Sequence, residues 1–417
     1  METAAVPHRH PIRLVVTDDL ARSRLTVFFR LLLALPHLLW AGLFGVGAAA
    51  AAFINWWAVL FTGRTPTGLH NFLAGYVRYA THVEGYLFLA ANPFPSFYLG
   101  DVVKPYPVDV EIDPPARQRR LTVLLRLFLA LPAILISIAL TGGIGGYAGT
   151  GYYRAGAGVA GTAALLLWFA GLARARVPRG LRDLTAWGIG YGAQTAGYFF
   201  LLTDRYPTSD PIAHVPPLPG EDAMPEQPAL AIVRDDLRRS RLTVFFRLPL
   251  AVPHLVWSLL WTAAAVVAAI AGWFAALVIG RLPAVLGRFL SAYVRYGAHV
   301  TAFIYLVANP FPGFTGKPGS YPIDLELAPP GAQRRLTIAF RLLLAVPTLL
   351  IAGAANNVLT IVALLGWFAS LVLGRLPEGL RNAGAWAVGY TGQAWTYVWL
   401  LSGRYPHSSP NAVAWRA

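Results

Sequence analysis

One pattern of residues recurs four times along this chain, and its fixed spacing constrains the fold more than any other feature. It runs Arg-Leu-Thr, then an arginine, a proline, a tryptophan, a second proline, a tyrosine and a closing proline. The first copy holds Leu25, Arg30, Pro36, Trp56, Pro66, Tyr79 and Pro95, and the second Leu121, Arg126, Pro132, Trp168, Pro178, Tyr191 and Pro207. The third holds Leu242, Arg247, Pro253, Trp273, Pro283, Tyr296 and Pro312, and the fourth Leu336, Arg341, Pro347, Trp367, Pro377, Tyr390 and Pro406. In all four, leucine and arginine are five residues apart, tryptophan and proline ten, proline and tyrosine thirteen. Such a period marks one supersecondary unit used repeatedly. The expected units are residues 11–100, 101–206, 229–316 and 317–406. Residues 207–228 hold seven prolines and no apolar run, so they read as a linker between halves 1–206 and 229–406, with 407–417 a tail.

Of the 417 residues 56% are hydrophobic and 13% charged, against about 25% charged in soluble domains. That balance implies an integral membrane protein. There is no cysteine, which excludes disulfides, thiolate nucleophiles, iron–sulfur clusters and Cys-ligated zinc. Residues 1–24 lack a signal peptide's apolar core, so the first hydrophobic segment is expected to be an uncleaved anchor. The net charge of +15 comes almost wholly from arginine, since Lys104 and Lys317 are the only lysines. These arginines flank apolar runs, a pattern for anionic lipid headgroups rather than nucleic acid.

Each copy opens with a short extended segment: Ile12–Val16, Tyr106–Ile112, Leu230–Val233 and Tyr321–Leu327. Apolar and acidic residues alternate in Val108–Ile112 and Ile323–Leu327, which is strand periodicity and predicts a small sheet. An arginine cluster follows, then an apolar stretch of about 39 residues, such as Leu25 to Gly63. One crossing needs ~20 residues, so the stretch predicts a helical hairpin. In the second copy a glycine-rich run from Thr141 marks the turn. A third helix, as in 68–91, is interrupted by Arg78, His82 and Glu84.

The arginine clusters flank every hairpin on the same side, which puts them in the cytoplasm and requires an even number of crossings per copy. The third helix is then interfacial or re-entrant. The expected fold is an all-α integral membrane protein: four repeats of a transmembrane hairpin plus an interfacial helix, with extended segments between, and about eight crossings. Twelve crossings with inverted copies is the alternative. The expected location is the bacterial inner membrane, multi-pass, with both termini cytoplasmic.

Odd and even copies differ. Tyr-Val-Arg-Tyr, His-Val and Asn-Pro-Phe-Pro occur at 76–95 and again at 293–312, whereas the even copies carry Gly190, Tyr191, Gln194 and Gly389, Tyr390, Gln393. With Arg-Leu-Thr-Val, the hairpin and Gly-Arg-x-Pro, these motifs resemble a bacterial family of membrane domains catalogued as domain of unknown function 4389, present here in tandem. The resemblance implies a hairpin with an amphipathic third helix, and brings no activity or catalytic residues.

Arg30, Arg126, Arg247 and Arg341 lie in the first turns of the apolar helices. They are expected to snorkel to headgroups, to pair with Asp19, Asp113 or Asp236, or to contact lipid phosphate or another anion as bidentate forks. His37, Arg78, His82, His254, Arg295 and His299 occur in the odd copies alone and are the candidate ligand-binding residues. Helix-packing hydrogen bonds are the simpler role for these histidines. The tryptophans and tyrosines of the repeat read as interface belts or packing positions. Gly142–Gly151 lacks the lysine of a phosphate loop. No catalytic residue, metal site or cofactor is expected. The expected function is non-enzymatic binding of lipid or a small hydrophobic ligand, or membrane organisation. Membrane lipids are the expected partners, and protein partners cannot be read from the sequence. A secondary transporter or channel with inverted repeats is one alternative, and a histidine-based metal, haem or quinone protein another.

Overall fold

The computed structural model describes residues 9–97, 106–142, 158–215, 226–328, 331–411 and 413–415. Strand β1 (Ile12–Val16) is followed by α1 (Arg24–Phe28), α2 (Arg30–Thr62) and α3 (Thr67–Leu87). Then come β2 (Val108–Ile112), α4 (Arg120–Leu124), α5 (Arg126–Thr141), α6 (Val159–Arg174) and α7 (Arg179–Phe199). A short 3-10 turn, Pro211–His214, precedes β3 (Ala229–Val233), α8 (Arg241–Phe245), α9 (Arg247–Ile279) and α10 (Ala284–Ile304). The chain closes with β4 (Ile323–Leu327), α11 (Arg335–Ala339), α12 (Arg341–Leu373), α13 (Glu378–Val398) and β5 (Val413–Trp415). It is mostly helical, with two small sheets.

Repeated residues set the helix boundaries. Each short first helix meets the long one at a bend, Phe29, Leu125, Phe246 or Phe340, with φ near −90°. The interior prolines Pro36, Pro253 and Pro347 each remove one backbone hydrogen bond without ending the helix. The long helices stop at Gly63, Gly280 and Gly374, whose φ of 75°, 74° and 69° is the left-handed closure that glycine adopts without strain. Pro66, Pro178, Pro283 and Pro377 then open the next helix with a pre-set φ.

The structure corrects one expectation. The apolar stretch is not a hairpin in the first, third and fourth copies: α2, α9 and α12 are uninterrupted helices of 33 residues, ~50 Å long at ~1.5 Å per residue. Dividing an apolar run by bilayer thickness ignores local propensity. Alanine-rich centres such as Ala48–Ala52 favour continuing the helix over turning it. The three are long and apolar enough to cross a membrane. In the second copy, residues 143–157, with the glycine run and Arg154, lie outside the described residues. Among the third helices, α7 and α13 are buried along most of their length, with Trp187, Tyr191, Trp386 and Tyr390 covered.

The chain divides into two compact units, Met1–Tyr152 with Ala163–Thr208 and Ile212–Pro216, and Tyr153–Thr162 with Ser209–Pro211 and Pro217–Ala417. In the first, α3 and α7 pack together, with α2 against α3 and α5 against α7. Strands β1 and β2 pair antiparallel, Ile12 opposite Ile112 and Val16 opposite Val108, and cover α3 and α7. Close approach depends on Gly197, where a Cβ would fall 2.0 Å from Ile12 Cδ1. In the second unit, β3 pairs antiparallel with β4 and parallel with β5. This sheet packs on α13 through Gly389 and Gly392, which meet Ala231 and Leu325.

Within each unit the repeated residues join one copy to the next. Trp56 Nε1 donates to the Val123 carbonyl (2.9 Å) and Trp168 Nε1 to the Val27 carbonyl (3.0 Å). The Gln118 amide donates to the Gly63 carbonyl and the Arg22 amide to the Ala175 carbonyl, both at 2.9 Å. Arg120 Nη2 reaches the Phe61 carbonyl and Arg24 Nη2 the Ala173 carbonyl. The beginning of each copy is thus tied to the end of its partner's apolar segment. In the second unit, Trp273 Nε1 donates to Ile338, Arg335 to Val278 and Arg241 to Val372. Trp56, Trp168 and Trp273 are joints between copies.

Candidate functional site

The repeat arginines gather at the C-terminal ends of the third helices. Each ends on a leucine in the left-handed region, Leu89, Leu201, Leu306 and Leu400, with φ between 58° and 64°. The last carbonyls of these helices lack intrahelical donors, and buried side chains supply them. Arg22 donates to the carbonyls of Leu89 and Ala90, and holds Asp18 through a two-pronged pair at 2.9 and 2.8 Å. Arg239 does the same with Leu306, Val307 and Asp235. Arg30 lies deeper: its Nη1 donates to the carbonyls of Tyr86 (2.6 Å) and Ala91 (2.9 Å), with the guanidinium 4.1 Å above the Tyr86 ring. Arg247 repeats this with Phe303 and Ala308. In the even copies Gln118 and Gln333 cap Leu201 and Leu400, and Arg126 and Arg341 lie over Tyr198 and Tyr397.

All four repeat arginines are at most 3% exposed, with donors turned onto protein oxygens: backbone carbonyls for Arg30 and Arg247, the Gln118 side chain and Asp204 for Arg126, and the Gln333 side chain and the Ser402 carbonyl for Arg341. They do not snorkel, and their bonds do not go to Asp19, Asp113 or Asp236. Arg126 meets Asp204 instead, at 3.1 Å.

The histidines fall into two separate groups. His37 is fully buried, with Nδ1 2.8 Å from the Tyr79 hydroxyl, its ring stacked on Phe97 at 4.0 Å, and Nε2 without a partner. His254 has the same setting with Tyr296 and Phe314. His82 instead faces the sheet: its Nε2 is 2.8 Å from Asp109 Oδ1, and Arg78 grips the same carboxylate at 2.7 and 2.5 Å. Burial alone would raise the Asp109 carboxyl, but the bonds from His82 and Arg78 hold it well below the usual range. His299 pairs with Asp324 at 2.8 Å, and Asp324 is likewise lowered against its burial. Arg295 Nε donates to the Leu325 carbonyl. No group of three or more potential metal ligands occurs among the described residues.

Sequence reasoning missed Asp18–Arg22 and Asp235–Arg239. The signal was present, because three residues before the repeat leucine the odd copies hold an arginine preceded by Asp-x-x-x, Arg22 and Arg239, where the even copies hold Gln118 and Gln333. It also missed His214, whose buried ring has Nε2 2.7 Å from the Thr208 carbonyl and is pushed down to about 4 by burial.

The domain of unknown function DUF4389 matches residues 24–98, 241–315 and 335–409, together more than half of the chain. The chain belongs to the DUF4389 family. The matched stretches are the first, third and fourth copies, so the fourth is a DUF4389 domain although it lacks Asn-Pro-Phe-Pro. Each runs from the basic cluster, through the long helix, past the end of the third helix, which Arg22 and Arg239 cap in the first and third copies and Gln333 in the fourth. No curated protein and no solved structure matches the chain.

Proposed function

We propose that this DUF4389 protein is a non-enzymatic membrane protein that binds and organises anionic lipid, with its long helices sunk lengthwise into one leaflet. One observation carries the reading. The long helices expose apolar side chains from end to end, Leu31 to Phe61 on α2, Leu248 to Val278 on α9 and Leu342 to Val372 on α12, while arginines stand at both ends. Arg24, Arg174 and Arg176 mark one end of α2, and Arg64, Arg119 and Arg120 the other.

A crossing helix would place one of these clusters outside, against the usual cytoplasmic bias of basic residues. It would also carry the acidic strand β2, with Asp109, Glu111 and Asp113, through hydrocarbon along α3 and α7, where open sheet edges are not tolerated. Helices lying in the interface avoid both problems and leave the sheet in water. In this reading the eight crossings reduce to none. The copies are coupled first with second and third with fourth, and the arginine rim faces cytoplasmic headgroups.

The test is recovery of the chain with its lipids. Membranes washed at alkaline pH should retain it, and mass spectrometry of the purified protein should find anionic lipid enriched over the bulk membrane. A protein carrying no lipid, and binding neutral and anionic vesicles equally, would contradict the proposal.

A further inference from the structure

The four buried arginines differ in their counter-charge. Arg126 has Asp204 at 3.1 Å. Arg30 and Arg247 feel Asp18 and Asp235 at longer range. Arg341 has no carboxylate paired with it among the described residues, because the position of Asp204 in Asp-Arg-Tyr-Pro is taken by Gly403 in Gly-Arg-Tyr-Pro. It is nonetheless 1% exposed. Its Nη2 donates to Gln333 Oε1, its Nη1 to the Ser402 carbonyl at 3.4 Å, and its Nε has no partner. A buried guanidinium without an opposite charge is costly. The second copy offsets that cost internally, and the fourth does not.

Space adjoins Arg341. A cavity of about 470 Å³ is lined by Arg341, with Ile270, Trp273 and Phe274 of α9 and Leu342 of α12 forming apolar walls. A second, of about 370 Å³, shares Val266 and Trp399 with the first and reaches Tyr293 and Thr301 between α9, α10 and α13. The Trp399 indole N–H is buried there without an acceptor.

We propose that Arg341 and these neighbouring cavities hold an anionic amphiphile, a single acyl chain ending in a carboxylate or phosphate. The head group takes the place that the Asp204 carboxylate occupies beside Arg126, and the chain lies along the apolar walls. The proposal names a ligand for the lipid-binding reading but does not depend on how the long helices sit in the bilayer.

The probes are palmitate and a palmitoyl lysophosphatidate, titrated onto the full chain in an uncharged maltoside detergent and read by native mass spectrometry. The neutral control is the monoglyceride of the same chain. Either anionic probe should bind about tenfold or more tightly than the control, as a charge-assisted contact to a buried arginine implies. The tighter of the two identifies the head group. Gly403→Asp supplies an internal carboxylate and should weaken both anionic probes about tenfold while raising the unfolding temperature. The added Cβ meets Gln333 Cγ at an ordinary 3.4 Å, so the fold should persist. Ile270→Trp, which fills the cavity without altering charge, should weaken all three amphiphiles. Equal binding of charged and neutral amphiphiles would overturn the proposal, as would Gly403→Asp binding like the parent chain.

Discussion

Replacing Asp18 by Asn gives the sharpest test of how the repeat is held together. Asp18 and Arg22 have side chains 2% and 0% exposed, and they meet through two charge-assisted bonds of 2.9 and 2.8 Å. The rest of the guanidinium is committed to the carbonyls of Ala21, Leu89 and Ala90. Asn keeps the shape, and can still accept from the Leu20 amide, but removes the charge. Arg22 cannot turn to water without abandoning the end of α3. Removing one partner of a buried pair costs about 3–5 kcal/mol, about a thousandfold in the folding equilibrium. The comparison is Glu111→Gln, which breaks a pair with Arg13 whose carboxylate side is 54% exposed, where the loss should stay under about 1 kcal/mol. Unfolding in mixed micelles, followed by tryptophan fluorescence, measures both. Asp235→Asn should match Asp18→Asn, since Arg239 makes the same contacts. A cost for Asp18→Asn within about 1 kcal/mol of that for Glu111→Gln would refute the reasoning.

Other substitutions test other layers. Glu84 on α3 is pushed up to about 7 by burial, from an ordinary 4.5. A carboxylate raised in the folded state makes stability fall as pH rises between those values, by about 3 kcal/mol at most given the partly exposed side chain. Glu84→Gln should abolish that fall between pH 5 and 8 in unfolding midpoints. Trp56→Phe and Trp168→Phe should each cost about 1–2 kcal/mol, because each removes the indole hydrogen bond to a backbone carbonyl of the partner copy. Clearly unequal costs in urea titrations would argue against reciprocal coupling. Gly316→Ala should destabilise by 2 kcal/mol or more, about the combined cost of strain and overpacking, since φ is +59° and the Cβ would fall 2.0 Å from the Ala292 carbonyl. Gly42→Ala, on α2 with nothing within 4 Å, should be neutral or stabilising by the same assay.

The extended segments were legible because Val108–Ile112 and Ile323–Leu327 alternate apolar and acidic residues, and both are strands paired in small sheets. Their role was not legible. Asp109 meets Arg78 and His82, 31 and 27 residues earlier in the chain, a tertiary fact that turns an apparently interrupted membrane helix into a covered core helix. Gly63 does close the apolar stretch that begins at Leu25. Hydropathy failed at α2, α9 and α12, because an apolar run long enough for two crossings is equally compatible with one unbroken helix. The repeat arginines were recognised as costly in lipid, but Arg30, Arg247 and Arg341 find carbonyls about 60 residues away, as with Arg30 and Ala91, and Arg126 finds Asp204. No local pattern points to such partners. The contrast between Asp204 and Gly403 could be read from aligned copies, yet it gains meaning only once Arg126 and Arg341 are known to be buried.

The most direct test of the in-plane reading is to label both ends of one long helix. The chain contains no cysteine, so Ser23→Cys and Thr67→Cys, exposed positions just before α1 and at the start of α3, can be made singly. Each is treated with a membrane-impermeant maleimide in sealed vesicles of both orientations. A helix lying in one leaflet predicts that both positions react from the same side, the cytoplasmic one. Reaction of Ser23→Cys from one side and Thr67→Cys from the other would mean that α2 crosses the bilayer, and would contradict the account.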